Sequence, residues 1–265
     1  MCRLLAYQGA PVALADLIEK PEHSLCVQSY QPKEMTSGLL NADGFGFGWY
    51  DPARDSRPFR FRSTQPIWAD ANLGSLGRYV HSSCVLANVR SATPGLAVDL
   101  SNCQPFAFER ILGLHNGFIQ NFRQTLYRPI RDSLDDPFYK AIDGSTDSEH
   151  VFAFVLNTWE RQGGTLEDAL TESIRTLAVW AAKESVSVSL NLIFADGERL
   201  VASRYANRPE APTLYWLADD PTFPEATIIA SEPLFASRGW QCVPPGSVLT
   251  VDAESKISVQ PIEMS

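Results

Sequence analysis

The chain has 265 residues, of which 45% are hydrophobic and 20% charged, as in an ordinary globular protein with a substantial core. Acidic residues outnumber basic ones by 31 to 22, the formal net charge is −9, and no run of basic residues occurs. This pattern disfavours nucleic acid as a partner. No apolar stretch reaches the roughly eighteen residues of a membrane span, and no secretory signal pattern opens the chain. We therefore expect a cytoplasmic protein that binds neither nucleic acid nor membranes.

The first half of the chain is predicted to contain mostly strands. Apolar runs, a glycine–aromatic alternation and helical spacing that stops at Pro21 are the signals. They predict strands over residues 2–8, 45–50, 83–90 and 111–115, and a helix over residues 12–20. The turn dipeptide Asn116-Gly117 is expected to end the last of these strands.

The second half is predicted to contain two helices followed by strands. Thr146 and Thr165 each open a capping-box pattern, and the second helix should run to about Lys183. Strands are then expected over residues 186–195, 200–205, 214–217, 227–230 and 248–252. This order predicts an α+β fold, with helices layered on antiparallel sheets, in a single domain over residues 1–265.

The cysteines and histidines give no sign of a metal site. The five cysteines are widely spread without a C-x-x-C pair, and the four histidines lack ligand spacing. No nucleotide-binding glycine motif of the G-x-G-x-x-G type occurs either. We therefore expect neither a metal nor a cofactor.

Cys2 is the first residue that can carry chemistry. If Met1 is removed, the chain begins with a thiol and a free α-amine on one residue, with ordinary pKa values of about 8.5 and about 8. Such a nucleophile carries its own base. The alternative is that Cys2 is a small apolar residue at the start of a buried strand.

Polar residues interrupt the apolar elements at four further points. The segment around Asp43 is either a tight turn into a strand or a binding loop. Arg90 ends a strand, where it suits an ion pair or a carboxylate clamp. Asn116 and Gly117 suit a turn or an oxyanion hole. Asp147 follows a helix-capping threonine and has either a capping or a binding role.

The order of these motifs resembles the class II glutamine amidotransferases. The motifs are a cysteine at position two, D-G-x-G-x-G, V-R-S-A-T, H-N-G-x-I-x-N and T-D-S-E, which lie within residues 1–154. That family belongs to the N-terminal-nucleophile hydrolases. The resemblance therefore implies a four-layer αββα sandwich.

The resemblance also implies catalytic roles. Cys2 would be the nucleophile, with its own α-amine as the general base, once Met1 has been removed. Asn116 and Gly117 would form the oxyanion hole.

For substrate binding, the resemblance assigns Arg90 to the α-carboxylate of a glutamyl group and Asp147 to its α-ammonium. A zwitterionic amino-acid head requires one cation and one anion, which these two residues provide. Thr93 and Asp43 lie in matching segments and are expected to contribute to substrate binding.

Two departures separate the chain from the synthase-type members. Those members read R-W-A-T-H-G where residues 90–95 here read R-S-A-T-P-G, and 265 residues leave little room for an acceptor domain. The segments M-C-R-L-L, N-A-D-G-F-G-F-G-W and G-S-T-D-S-E-H-V-F look like the stand-alone branch. That branch includes the hydrolases that release glutamate from γ-glutamyl-hercynylcysteine S-oxide in ergothioneine biosynthesis.

We therefore predict a hydrolase that cleaves a small γ-glutamyl amide through a thioester on Cys2. Aromatic faces bind trimethylammonium groups such as that of hercynylcysteine. Candidates for such a wall, with core packing as their alternative role, are Phe45, Phe47, Trp49 and Phe118. The competing hypotheses are a glutaminase subunit that supplies ammonia to a separate synthase, and a glutamyl-ligand binding module. The sequence leaves a homo-oligomer open.

Overall fold

A computed structural model describes residues 2–35, 38–92 and 98–264. Thr93, which was predicted to bind substrate, lies outside the described residues. None of the helices in these three ranges is long and apolar enough to cross a lipid bilayer.

The first of two antiparallel sheets has β1 and β4 near its centre. Within the described ranges its strands, in spatial order, are β11 (Gln241–Cys242), β9 (Tyr215–Asp220), β10 (Phe223–Ala230), β1 (Arg3–Ala13), β4 (His81–Val89), β2 (Phe45–Asp51) and β3 (Asp55–Ser63). Leu4 of β1 pairs with Asn88 of β4. The register therefore places Cys2, directly before β1, beside the end of β4.

The second sheet is built around β6 and β7. In the part of the chain that the structure describes, its spatial order is β13 (Ile257–Pro261), β12 (Ser247–Val251), β8 (Leu200–Arg204), β7 (Val188–Ala195), β6 (Ile111–Ile119) and β5 (Phe106–Phe108). Asn116 pairs with Asn191, and Gly117 with Leu190. The predicted turn at Asn116-Gly117 is therefore wrong, because pairing with β7 holds both residues extended against their local turn preference.

Helices cover the outer face of each sheet. The first sheet carries α1 (Leu14–Ile18), α2 (Leu25–Tyr30) and α3 (Leu73–Tyr79), and the second carries α6 (Asp147–Gln162) and α7 (Leu166–Lys183), with α4 (Tyr127–Ser133) and α5 (Asp136–Lys140) against α6. Two 3₁₀ helices span Ile67–Ala69 and Leu100–Asn102. The helix predicted over residues 12–20 starts later, at Leu14, because pairing with β4 extends β1 to Ala13.

Three clusters of buried apolar side chains separate four layers. One lies between α1–α3 and the first sheet, and another between the second sheet and α6–α7. The middle cluster joins the two sheets and contains Leu4 and Ala6 of β1 with Leu112 and Leu114 of β6. The predicted αββα sandwich is thus confirmed, and even-numbered side chains of β1 and β6 face each other across the gap.

The start of α6 is fixed by side-chain contacts. Thr146 Oγ1 accepts a hydrogen bond from the Glu149 N–H at 3.3 Å, which confirms the predicted helix start. The Glu149 carboxylate accepts from the N–H groups of Asp143 and Gly144 at 3.1 and 2.6 Å. The loop before α6 is therefore held on both sides, which fixes the position of Asp147.

Candidate active site

Cys2 lies half-buried at the end of the gap between the sheets. It packs against the middle cluster, on the same face of the chain as Leu4. Its Sγ donates a weak hydrogen bond to the Ser91 carbonyl oxygen at 3.9 Å. The structure therefore brings Cys2 and the segment that contains Arg90 together, as the motif order predicted.

Arg90 and Asp43 hold each other through their backbones. The Asp43 N–H donates to the Arg90 carbonyl at 3.0 Å, and the Arg90 guanidinium donates from Nη1 to the Asp43 carbonyl at 3.1 Å. Asp43 Oδ2 accepts from the Ala92 N–H at 2.8 Å. The Asp43 carboxylate therefore orders residues 90–92, and its predicted contact with substrate stays a prediction. Arg90 is buried beside Cys2 with further N–H donors for a carboxylate.

Asn116 faces the gap from the opposite sheet. The residue is 1% exposed, yet neither Oδ1 nor Nδ2 has a hydrogen-bond partner among the residues that the structure describes. A buried polar group without a partner costs about 1–3 kcal/mol. A donor held in this way is available to a carbonyl oxygen that enters the gap.

Gly117 occupies a position that only glycine fits. A methyl group on its Cα would overlap the Ser189 carbonyl oxygen and the His115 ring. Close packing between β6 and its neighbours therefore excludes any side chain here. The backbone of Gly117 therefore lies close against β7, and its part in an oxyanion hole stays a prediction.

Asp147 joins the end of β6 to the start of α6. Its Oδ2 accepts from the Ile119 N–H at 2.7 Å, and its Oδ1 accepts from the Ser148 N–H at 2.8 Å. The residue is half-buried, and each carboxylate oxygen has a further lone pair. The predicted ammonium ligand is therefore tied to Ile119, which follows Gly117 by two residues on β6.

His115 supports this arrangement and was not predicted to do so. Its Nε2 donates to the Ser189 carbonyl at 3.0 Å, and its Nδ1 accepts from Ser148 Oγ at 2.9 Å. Burial lowers the pKa of His115, although the nearby charge of Asp147 opposes this. A neutral imidazole thus links β6 to α6, and Gln104 bonds both backbone groups of His115, at 2.6 and 2.9 Å.

Arg3 is a second residue that the sequence did not reveal. It is fully buried, its Nε donates to the Cys2 carbonyl at 2.8 Å, and its Nη1 pairs with Glu232 at 2.8 Å. Glu232 also bonds His23 Nε2 at 2.7 Å and the N–H groups of residues 33 and 34. Burial would raise the pKa of Glu232, but these donors and the Arg3 charge outweigh it and lower the pKa to about 2. A permanently charged pair therefore fixes the Cys2 backbone.

Hydrogen bonds also connect the two sheets behind the site. Asn191, the partner of Asn116, donates from Nδ2 to the Thr213 carbonyl at 3.3 Å, and Thr213 Oγ1 donates to the Ser231 carbonyl at 2.9 Å. Ser231 Oγ accepts from the Leu4 N–H at 2.9 Å. The positions of Asn116 and of the start of β1 are thus coupled through polar contacts.

The proposed aromatic wall is mostly absent from the site. Phe45 and Phe47 are 0% and 1% exposed in the cluster between α1–α3 and the first sheet, and Trp49 packs against it. That cluster lies on the face of the sheet away from the gap. Of these four aromatic residues only Phe118 lies on β6, where its side chain is on the same face as Asn116.

No cluster of three or more potential metal ligands occurs among residues 2–35, 38–92 and 98–264. The αββα layers, with a cysteine directly before a central strand and a buried amide facing it, are those of the N-terminal-nucleophile hydrolases.

Comparison with known proteins narrows this class. Residues 1–226 match the class II glutamine amidotransferases, and the chain belongs to that family. A gamma-glutamyl-hercynylcysteine sulfoxide hydrolase of Mycolicibacterium smegmatis is 33% identical, covering 99% of this chain and 100% of the relative. A probable glutamine amidotransferase of Saccharomyces cerevisiae, DUG3, is 31% identical, covering 99% and 84%.

A solved structure gives the same result. A glutamine aminotransferase class-II domain protein from Silicibacter pomeroyi aligns with a TM-score of 0.71 at 26% identity, covering 98% of this chain and 99% of that one. The chain is therefore an enzyme that hydrolyses an amide C–N bond in a small-molecule substrate. This finding leaves no support for a binding module without activity.

Proposed function

We propose that the enzyme hydrolyses γ-glutamyl amides with Cys2 as its nucleophile, and that its substrate is γ-glutamyl-hercynylcysteine S-oxide. The observation that carries the mechanism is the Asn116 amide. It is buried without a protein partner on the sheet face opposite Cys2, where an oxyanion would form.

In the proposed reaction the α-amine of Cys2, free once Met1 is removed, takes the thiol proton. The thiolate attacks the γ-carbonyl, whose oxygen accepts hydrogen bonds from Asn116 and Gly117. The C–N bond breaks as the ammonium proton passes to the leaving nitrogen, which gives a thioester and an amine. Water then attacks the thioester, and glutamate leaves as the thiol reforms.

Arg90 and Asp147 would hold the two charges of the glutamyl head during these steps. The Arg90 guanidinium is suited to a carboxylate and the Asp147 carboxylate to an ammonium group. Both are fixed by backbone contacts before substrate arrives. Because the glutamyl head would be held in one orientation, its γ-carbonyl and not its α-carboxylate would lie next to the thiol.

Replacement of the nucleophile tests the mechanism. Cys2→Ala should abolish glutamate release from γ-glutamyl amides, whereas Cys242→Ala, which removes an exposed thiol, should retain it. Acid-quenched wild-type enzyme should show a species heavier by one glutamyl group, and the resting protein should lack Met1 by intact mass. Glutamate release by Cys2→Ala would refute the mechanism.

The choice of substrate rests on the full-length similarity to the Mycolicibacterium smegmatis hydrolase. We expect a higher kcat/KM for γ-glutamyl-hercynylcysteine S-oxide than for glutamine. Equal values would remove the ergothioneine assignment but leave the γ-glutamyl hydrolase intact.

The second candidate function is a glutaminase. It is supported by the similarity to the yeast relative, which is named a probable glutamine amidotransferase. That candidate predicts low glutamine turnover by the isolated chain and stimulation by a co-purifying synthase. Release of ammonia from glutamine, measured with and without such a partner, separates the two.

A further inference from the structure

The loop between β8 and β9 presents an arginine next to the site. Arg204 donates to the carbonyl oxygens of Pro212 and Ala211 at 2.9 and 3.3 Å, which fixes one end of the loop. Asn207 accepts from the Val188 N–H at 2.8 Å through its Oδ1. Arg208 follows directly, so its backbone is held against the start of β7.

The Arg208 side chain lies over Phe118. Its Cζ is 4.7 Å from the centroid of the Phe118 ring. Its Nε is buried and has no hydrogen-bond partner in the part of the chain that the structure describes. No carboxylate within the described ranges forms an ion pair with Arg208. The stacked guanidinium therefore retains donors and an unneutralised charge.

A second polar group without a partner in the described residues lies opposite Phe118 in the sheet. Ser189 is fully buried, pairs with Phe118 in the ladder and forms a bridge with Ala206, and its Oγ has no hydrogen-bond partner. Phe118 and Asn116 share one face of β6. They are two positions apart, which corresponds to about 7 Å along a strand. Arg208 thus lies over Phe118, two positions along β6 from Asn116, on the strand face that lines the gap.

We propose that Arg208, held over Phe118, binds a carboxylate on the amine half of the substrate. This inference rests on the proposed γ-glutamyl hydrolase. In a γ-glutamyl amino acid the α-carboxylate carbon of the amine half lies two bonds from the scissile nitrogen, whereas glutamine has no carboxylate there. A planar guanidinium matches a carboxylate with two hydrogen bonds. The enzyme then selects γ-glutamyl amino acids over glutamine.

Two substrates that differ only in this carboxylate test the proposal. The pair is γ-glutamylalanine and γ-glutamylethylamide, and the measured quantity is the ratio of their kcat/KM values. In the wild type the ratio should favour γ-glutamylalanine. Arg208→Gln should lower it about tenfold to a hundredfold, the range for a hydrogen bond to a charged group. The ratio for Arg208→Lys should lie between those of the wild type and Arg208→Gln, because lysine keeps the charge but lacks the planar guanidinium.

Arg110→Gln is the matched control, since Arg110 is an exposed arginine directly before β6, at the opposite end of that strand. It should leave the ratio as in the wild type. An Arg208→Gln enzyme that loses activity equally on both substrates, or keeps the wild-type ratio, overturns the inference. A wild type that hydrolyses neither compound instead contradicts the proposed function, and equal wild-type kcat/KM values contradict only the inference.

Discussion

Glu232→Gln is the substitution that most directly tests how the start of β1 is held. Glu232 is 1% exposed and accepts hydrogen bonds from Arg3 at 2.8 Å and His23 at 2.7 Å, and from the N–H groups of Lys33 and Glu34 at 2.8 and 3.0 Å. A glutamine has nearly the same shape. It removes the charge and replaces one acceptor oxygen by a donor.

The expected loss follows from the burial of the pair. Arg3 is fully buried and would keep its charge without a counter-ion. Removal of one partner from a buried ion pair costs about 3–5 kcal/mol, a large share of the 5–15 kcal/mol by which domains are stable. Urea unfolding measures the change in free energy. Asp132→Asn, which breaks an exposed pair with Arg128, is the control and should leave the midpoint unchanged.

A double variant decides whether the lost ion pair is the cause. Arg3→Met with Glu232→Gln removes both charges, so it should be less destabilised than the sum of the two single variants. The pKa of Glu232 is about 2, below its ordinary value, so its stabilisation is present above about pH 4.5 and is lost as the pH falls towards 2. A loss under about 1 kcal/mol for Glu232→Gln, or strict additivity, would refute this reasoning.

Two further substitutions separate activity from stability. Asn116→Ala should lower kcat about a hundredfold to a thousandfold. It should not lower the melting temperature, because the amide has no partner among the described residues. A fall in melting temperature with kcat retained would contradict this. Burial lowers the pKa of His115, so the unfolded chain takes up a proton first and stability falls as the pH drops below about 6.5. In His115→Gln, urea unfolding at pH 7 and pH 5 should show a smaller pH-dependent loss, and an unchanged loss would exclude His115 as its source.

Local patterns predicted the elements with strong periodicity. The capping threonine and apolar spacing predicted α6 and α7, and apolar runs predicted β1 and β4. The edge strand β3 was missed because its alternation is short: only Phe59 and Phe61 alternate with arginines, after an exposed segment that contains Pro58. The Asn116-Gly117 turn was predicted wrongly because only pairing with β7 keeps that dipeptide extended.

The support of the site depends on contacts that local patterns do not encode. Cys2, Asn116 and Asp147 were predicted as site residues from the order of motifs along the chain, and they stay predictions. Glu232 reaches Arg3 across 229 positions, and no spacing rule relates the two. Arg208 approaches Phe118 only because a loop anchored by other residues crosses the end of β6.

The buried polar atoms at this end of the sandwich indicate function independently of sequence similarity. Unpartnered oxygen or nitrogen atoms occur on side chains of both sheets that face the gap, namely Asn88, Asn116, Ser189 and Asn191. Each such group costs about 1–3 kcal/mol, whereas apolar residues at these positions would extend the middle cluster at no such cost. A sequence selected for stability alone would not keep four of them on the facing sides of two sheets. The cost becomes intelligible if a bound substrate supplies the missing partners, and we therefore expect ligands that carry an amide to raise the melting temperature more than their size predicts.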